Sequence, residues 1–510
     1  MYMAKKNNKT DFRAVFSKWW FPVVFSLSVV FFIALRIQPL LNHMVPYTYD
    51  QGRDMLQAAK IILDKKPTFL GPTTGVTGMF HGAWWYYVLV VPFLLFKGSP
   101  IGFYFFNFAL QFGVFLVLAY FLLRYFNKTT TALVALLIAT SPYFQMTSVF
   151  IGNNIMVLPA LLAFALLSYV ILHNQQKSKN TALWVFFPLG ISLGLVAEFE
   201  LSFGMFLIPL FFMGTLLFKD LRSALLKFRP GILFGLGLFI AFSMRIFFEI
   251  RHEFLQTKTL IGFFIKPHLY NPKPYWDVIQ DRIVLFKGYY EGLSANPWIL
   301  ALLSVLLIYL IVAAFKKHSG NSPLKFYVFI LGGLFFLSTF YKDNFWANYY
   351  EGIHLLFLVV LSILLYRATD SVVKKFLTAT LIVVMTLTGF TGTVKSFKSV
   401  PETEGLIKME KVVDYISSQV KSSNKEYCVK VYTPPVIPYT YDYLFLHRKL
   451  TEGLPQPQTQ WVNNRCWFVL ERDDFEERRT KWMNDQGLDR SVKLRGITIV
   501  DTDIGYYEIR

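Results

Sequence analysis

The sequence predicts a mainly α-helical transmembrane bundle of about eleven spans plus one re-entrant or interface-lying helix, followed by a small C-terminal α/β domain outside the membrane. Three observations carry that expectation. Of 510 residues, 54% are apolar and 18% aromatic, Phe alone supplies 53, and mean hydropathy is positive, which a soluble domain does not need. Apolar runs follow one another as far as about residue 394, and from about Lys395 the sequence becomes alternating, charged and Pro-containing. The net charge of +19 lies in short Lys/Arg clusters between apolar runs, a spacing that reads as topology and lipid-headgroup contact and gives no reason to expect a nucleic-acid partner.

Lys5, Lys6, Arg13 and Lys18 precede the apolar stretch 21–41, which contains Arg36 and lacks a small-residue cleavage pattern, so it reads as a retained first span. Further runs fall near 101–123, 131–149, 154–173, 182–199, 201–218, 231–248, 297–315, 325–340, 352–366 and 376–394. The apolar stretch 84–96 is only about a dozen residues long, below the ~17 needed to cross. If it does not span, Arg124/Lys128, Lys177/Lys179, Lys219/Arg222/Lys227/Arg229, Lys316/Lys317 and Arg367/Lys374/Lys375 all share the side of the basic N-terminus; if it spans, every cluster moves outside. The expected layout is therefore a membrane domain over 1–394 with a first outer loop at 42–100, the N-terminus cytoplasmic, and an extracytoplasmic domain over 395–510.

In that last region, 428–432, 467–470 and 497–500 read as strands and 402–420 and 475–485 as helices. Cys428 and Cys466 are the only cysteines; they form a disulfide if the region faces an oxidising compartment, or remain two buried thiols. There is no Gly-rich phosphate loop, no His-Glu-x-x-His motif and no repeat of fixed period, so an ATP-driven pump is not expected.

The most unusual chemistry is the polar block Tyr47-Thr48-Tyr49-Asp50-Gln51-Gly52-Arg53-Asp54, directly after the first span. Carboxylates and a guanidinium at the mouth of a membrane bundle are costly to hold and point to contact with a polar substrate. The same outer face collects Gly152-Asn153-Asn154, Glu198 and Glu200, the loop 249–296, and Lys342 through His354. Loops on a rigid helical scaffold are a common place for a catalytic face.

This block, together with the single N-terminal span, the segment led by Phe80-His81-Gly82-Ala83-Trp84-Trp85-Tyr86-Tyr87 and the terminal outer domain, resembles the GT-C membrane glycosyltransferases. The relatives it is most similar to are the protein O-mannosyltransferase and aminoarabinose transferase group, glycosyltransferase family 39-like. The layout matches from 20 to about 394, and the sharp part lies in 47–54 and 80–96; the run Phe248 to Lys258 also looks like a segment of such proteins. The resemblance implies an integral membrane enzyme that takes a sugar from a polyprenyl-phosphate carrier and passes it to a protein, lipid or glycan acceptor, usually with inversion. It also implies that Asp50, at the position of the family's catalytic carboxylate, is the general base.

Beside that role stands a plain one, in which Asp50 caps a helix beginning near Gln51 with Met55, Ala58, Ala59 and Ile62 as its apolar stripe. Arg53 contacts the donor phosphate or makes a structural ion pair, and Asp54 supports it. Asn153 and Asn154 stand where many GT-C enzymes carry a second carboxylate; they bind sugar hydroxyls or form a turn and helix cap, and without a carboxylate there a divalent metal is doubtful. Glu198 and Glu200 contact substrate, neutralise Arg36 or Arg245, or form an exposed tight turn. Arg251, His252, Lys258, Lys342 and His354 are candidates for the lipid phosphate, Arg251 and Lys342 first, with snorkelling as the alternative. His81 is a candidate for the sugar pocket, and the aromatics after it read as interface anchors.

The competing function is a polytopic transporter or lipid flippase, for which inverted repeats around a midplane site are expected. The two halves of this chain do not resemble each other, and its polar residues gather at one face. A non-catalytic surface scaffold leaves the acidic block unexplained.

Overall fold

In a bilayer every backbone polar group pairs within its own segment, so each apolar run folds as a helix. The structure, a computed structural model, describes residues 12–265, 273–316, 322–341, 344–398, 405–421, 426–434, 436–462, 465–486 and 495–507. Helix α1 (Phe12–Leu41) leads into α2 (Tyr49–Leu63), a short hairpin of β1 (Leu70–Thr73) and β2 (Phe80–Gly82), and α3 (Trp84–Leu95). The bundle continues through α4 (Pro100–Tyr125), α5 (Lys128–Thr140), α6 (Pro142–Val149), α7 (Val157–Gln176), α8 (Phe186–Phe199), α9 (Leu201–Leu217), α10 (Lys219–Leu225) and α11 (Phe228–Arg251). After α12 (Leu255–Ile265) and α13 (Tyr275–Glu291) come α14 (Pro297–Lys316), α15 (Ser322–Ser338), α16 (Ile353–Arg367) and α17 (Val372–Lys398).

Among the described residues, six helices are long and apolar enough to cross a membrane, or eight if the bent pairs α5–α6 (60°) and α9–α10 (99°) each count once. The other three expected spans fold as apolar helices of 10–17 residues at 183–199, 322–338 and 353–367, too short for the length criterion, so length and composition alone do not reach the expected eleven. The 84–96 stretch is a helix of only 12 residues.

The bend between α5 and α6 has an identifiable cause. Pro142 has no N–H to offer, which frees the carbonyl of Ile138 four residues earlier. Arg36, fully buried on α1, fills the gap: Nη2 donates to Ile138 O at 3.1 Å, Nη1 to Ala139 O at 3.0 Å and Phe32 O at 2.9 Å, and Nε to Ser148 Oγ at 3.1 Å. Arg36 is therefore engaged with backbone and is not the partner of Glu198 or Glu200.

Helices α8 and α11 approach unusually closely because their contact is made by small residues. A Cβ on Gly190 would lie 2.1 Å from Phe234 O, and one on Gly194 2.5 Å from the Ala241 methyl. This contact places Glu198, near the end of α8, beside Arg245 on α11.

After α17, the described chain forms α18 (Leu406–Lys421), β3 (Cys428–Tyr432), α19 (Tyr439–Glu452), β4 (Cys466–Leu470), α20 (Glu476–Asp485), β5 (Arg495–Ile499) and β6 (Thr502–Tyr507). The sheet order is β3-β4-β6-β5, with β3 and β4 parallel and the other pairs antiparallel. Cys428 and Cys466 sit opposite each other on the parallel pair and form a disulfide, with Cα atoms 4.5 Å apart, so the free-thiol alternative does not hold. The sequence did not disclose α19, whose Pro-rich lead reads as loop, nor β6. These elements grip the chain that enters the polar block: Leu406 N–H donates to Val45 O at 3.0 Å, Ile407 N–H to His43 O at 3.0 Å, and the Tyr47 hydroxyl to Thr440 O at 3.1 Å.

Replacing Arg36 by Met should leave the Ile138 and Ala139 carbonyls unpaired in an apolar core and destabilise the fold by roughly 2–4 kcal/mol. A thermal melt of purified Arg36→Met against wild type, in the same detergent, checks this through a clear drop in midpoint.

Candidate active site

Helix α2 starts one residue before Asp50, with Thr48 as its N-cap. The Gln51 side-chain oxygen accepts from the Thr48 N–H at 2.8 Å and hydroxyl at 2.6 Å, and its amide donates to Ile151 O at 2.6 Å. Thr48 and Gln51 therefore close the helix end, which corrects the capping alternative for Asp50. The Asp50 side chain is instead 61% exposed within the first turn. Met55, Ala58 and Ala59 are buried as the stripe predicts.

Arg53 sits between the two carboxylates. Its Nη1 lies 2.8 Å from Asp50 Oδ1, and its Nε donates to Asp54 Oδ1 at 2.8 Å. The second oxygen of Asp54 accepts from Trp85 Nε1 at 2.7 Å. Burial pushes the Asp54 carboxyl up to about 6, opposed by the Arg53 charge and by the bonds from Arg53 and Trp85. Trp85 is thus a buried partner of the polar block, which corrects its reading as an interface anchor; Trp84 likewise turns inward and donates to Ala241 O at 2.7 Å.

These groups open on a cavity of about 600 Å³. Its walls bring together Asp50, Arg53, Asp54, His81, Asn153, Asn154 and Glu200 from the sequence expectations, and add Thr73–Gly75 and Trp346–Tyr349. Arg53 is the one cation on that wall among the described residues. Burial, then the charges of Arg245 and Arg53, hold the His81 imidazole down to about 3, so it is neutral. Its Nδ1 faces the Leu201 N–H at 3.4 Å, which assigns the ring proton to Nε2.

Asn153 and Asn154 begin a 3-10 turn whose N-cap is Gly152, so neither is the cap. Asn153 Nδ2 donates to Phe199 O at 2.7 Å and Asn154 Nδ2 to Glu351 Oε2 at 3.1 Å. Glu200 caps α9, accepting from Ser202 N–H at 3.3 Å. Glu198 pairs with Arg245 Nε at 2.6 Å and packs so tightly under Gly82 that a Cβ there would lie 1.9 Å from Glu198 Oε2. Both glutamates are buried, so the exposed-turn alternative fails, and Arg245 is the partner found for Glu198.

The structure does not bring the other phosphate candidates to this cavity. Arg251, His252 and Lys258 are exposed around the α11–α12 turn and line neither this cavity nor its neighbour, and the His252 ring lies on Phe248. Lys342 lies outside the described residues. His354, in α16, is buried and lines an adjoining cavity of about 810 Å³. That cavity shares Phe150, Asn154, Ala347 and Asn348 with the first.

Sequence reasoning missed Glu351, which reaches the wall between the cavities from the turn before α16. Its carboxylate accepts hydrogen bonds from the Tyr143 hydroxyl and Asn154, and burial pushes it up to about 7. The signal was available in kind: an acidic residue at the head of an apolar run, as at Glu200. Among the described residues, no group of three or more His, Cys, Asp or Glu is arranged to hold a metal ion.

The polar helix is located from outside by the C-terminal segment. A Cβ on Gly52 would lie 2.5 Å from Thr440 N and from Tyr439 C, and the Tyr49 and Tyr439 rings are 5.1 Å apart. Gly52→Ala should therefore lift α19 from α2, at a cost of about 1–3 kcal/mol. Faster proteolysis near 436–439, with a lower melting midpoint, is the outcome to look for.

With the site described, its fold can be compared with solved structures. The chain has the fold of ArnT from Cupriavidus metallidurans bound to undecaprenyl phosphate, at 11% identity and a TM-score of 0.62, over 95% of this chain and 97% of that one. The apo state of the same protein gives 11% identity and a TM-score of 0.58 over 96% and 98%. This is the GT-C fold to which the 47–54 and 80–96 segments pointed. No protein-family model matches the chain. No curated protein sequence matches it either.

Proposed function

We propose that this protein is an integral membrane glycosyltransferase that moves a sugar from a polyprenyl-phosphate donor to an acceptor on the extracytoplasmic face. In this reading the eleven apolar helices and bent pairs each count as a span, the N-terminus is cytoplasmic, and the 395–510 region forms an outer domain over the site. The observation that carries it is the Asp50 carboxylate, the exposed member of the Asp50–Arg53–Asp54 bridge, opening on a polar cavity in a GT-C bundle. ArnT, which shares the fold, is described with undecaprenyl phosphate bound.

The residues divide the chemistry among themselves. Asp50 accepts the proton of the acceptor hydroxyl as its oxygen attacks the anomeric carbon. The bond from that carbon to the phosphate oxygen breaks, and the electron pair leaves with the phosphate. Arg53, held in place by Asp54, meets the growing negative charge, with His81 Nε2–H as a neutral donor. In this reading Arg53 makes the phosphate contact, and Arg251, exposed away from the cavity, does not. Attack from the face opposite the phosphate inverts the anomeric centre. No metal is assigned to the reaction.

Sugar release from a panel of radiolabelled polyprenyl-phosphate monosaccharides by membrane-reconstituted protein tests the reading. Wild type should transfer or slowly hydrolyse at least one donor, and Asp50→Asn should abolish this with expression intact. Persistence of turnover in Asp50→Asn would remove Asp50 from the mechanism.

A pH profile tests the bridge. As pH falls through about 6, Asp54 takes up a proton and its charge no longer holds Arg53, so kcat/KM should decline on the acid side. Asp54→Asn should lose that limb and lower kcat/KM at neutral pH by roughly 10–100-fold, the equivalent of about 1.5–3 kcal/mol for a charged hydrogen bond.

A further inference from the structure

The adjoining cavity of about 810 Å³ has a different chemistry from the first. Among its described lining residues there is no Lys or Arg, and most of the wall is apolar. Met146 and Val284, which line it, are 45% and 68% exposed, so the cavity has an apolar mouth at the protein surface.

Inside it, leaving aside the exposed Asn348, the hydrogen-bonding side chains are engaged with one exception. The Tyr143 hydroxyl donates to Glu351, Glu351 also accepts from Asn154, and the Tyr289 hydroxyl donates to Ala347 O at 2.8 Å. His354 is 1% exposed and stacks on the Tyr143 ring with centroids 3.5 Å apart. Yet neither its Nδ1 nor its Nε2 has a hydrogen-bond partner; the Tyr289 backbone lies near the ring without meeting hydrogen-bond geometry. A buried imidazole with two unpaired nitrogens is costly unless something that enters the cavity pairs with it.

We propose that this second cavity is the acceptor site and takes an uncharged membrane amphiphile, its apolar body between Met146 and Val284, a hydroxyl-type group bonded to His354, and its polar end reaching the Asp50 cavity past Asn154. This rests on the transferase reading given above. A phosphate head finds no counter-charge here, whereas a neutral hydroxyl finds one donor and one acceptor on the same ring. The wall common to the two cavities, Asn154 and Asn348, is where the acceptor would meet the donor sugar. The acceptor class that follows is a lipid alcohol delivered from the bilayer, in preference to a soluble polypeptide or glycan.

The test uses full-length protein in phosphatidylcholine nanodiscs with two photoactivatable probes, a diazirine diacylglycerol and a diazirine polyprenyl phosphate, and maps the crosslinks by mass spectrometry. The diacylglycerol should label peptides covering 143–155 or 284–292, and labelling there should fall about tenfold in His354→Phe and in Met146→Trp. The first variant keeps the ring stack and removes both nitrogens; the second fills the exposed mouth and so does not depend on the core tolerating a change. Labelling of this cavity by the polyprenyl phosphate instead, or diacylglycerol labelling that is absent or unchanged in both variants, overturns the proposal. Donor hydrolysis is measured in the same wild-type preparation. Hydrolysis without cavity labelling rejects this inference alone, while labelling without hydrolysis of any donor rejects the transferase reading and leaves a lipid site.

Discussion

Arg53 is held between two carboxylates, one buried and one open to a cavity, and most of the surrounding architecture serves to keep that bridge in place. A buried carboxylate without a partner would cost several kcal/mol or give up its charge. Asp54 avoids this by using one oxygen for Arg53 and the other for Trp85. Asp50 is left free to face a ligand while still aligned by the same guanidinium.

The helix carrying the bridge is fixed from three directions. Gln51 ties it to Ile151 at the turn before α7, Asp54 ties it to Trp85 on the short helix α3, and Gly52 lets α19 of the C-terminal segment rest directly on its backbone. The site is therefore the meeting point of the bundle, the short helix α3 and the terminal segment, and a disturbance in any of them should reach Asp50. Deeper in the bundle, backbone pairing explains otherwise odd charges. Arg36 supplies donors where Pro142 withholds one, and the close α8–α11 contact sets Glu198 against Arg245 just beneath Gly82.

Much of this was legible from local sequence. Apolar runs marked the helices because a spanning segment must satisfy its own backbone, and the brevity of 84–96 together with the side taken by the Lys/Arg clusters argued against counting it as a span. The 47–54 block announced itself by charge next to a span. What could not be read were pairings across long sequence separations: Tyr143 and Asn154 with Glu351, and Trp85 with Asp54. An aromatic at a helix start looks the same whether it anchors in lipid headgroups or donates to a buried carboxylate, so Trp85 was assigned to the wrong side. Three of the phosphate candidates lie away from the cavity for a related reason. Arg251, His252 and Lys258 lie in the right loop by order along the chain, but the α11–α12 turn leaves them exposed away from the cavity.

The most direct test is a cryo-electron microscopy structure of the protein with a non-cleavable polyprenyl phosphonate sugar bound. Density for the phosphonate against Arg53, with the anomeric carbon between it and Asp50, is the result this account predicts. A phosphonate seated around Arg251 and Lys258, with the Asp50 cavity unfilled, would contradict it.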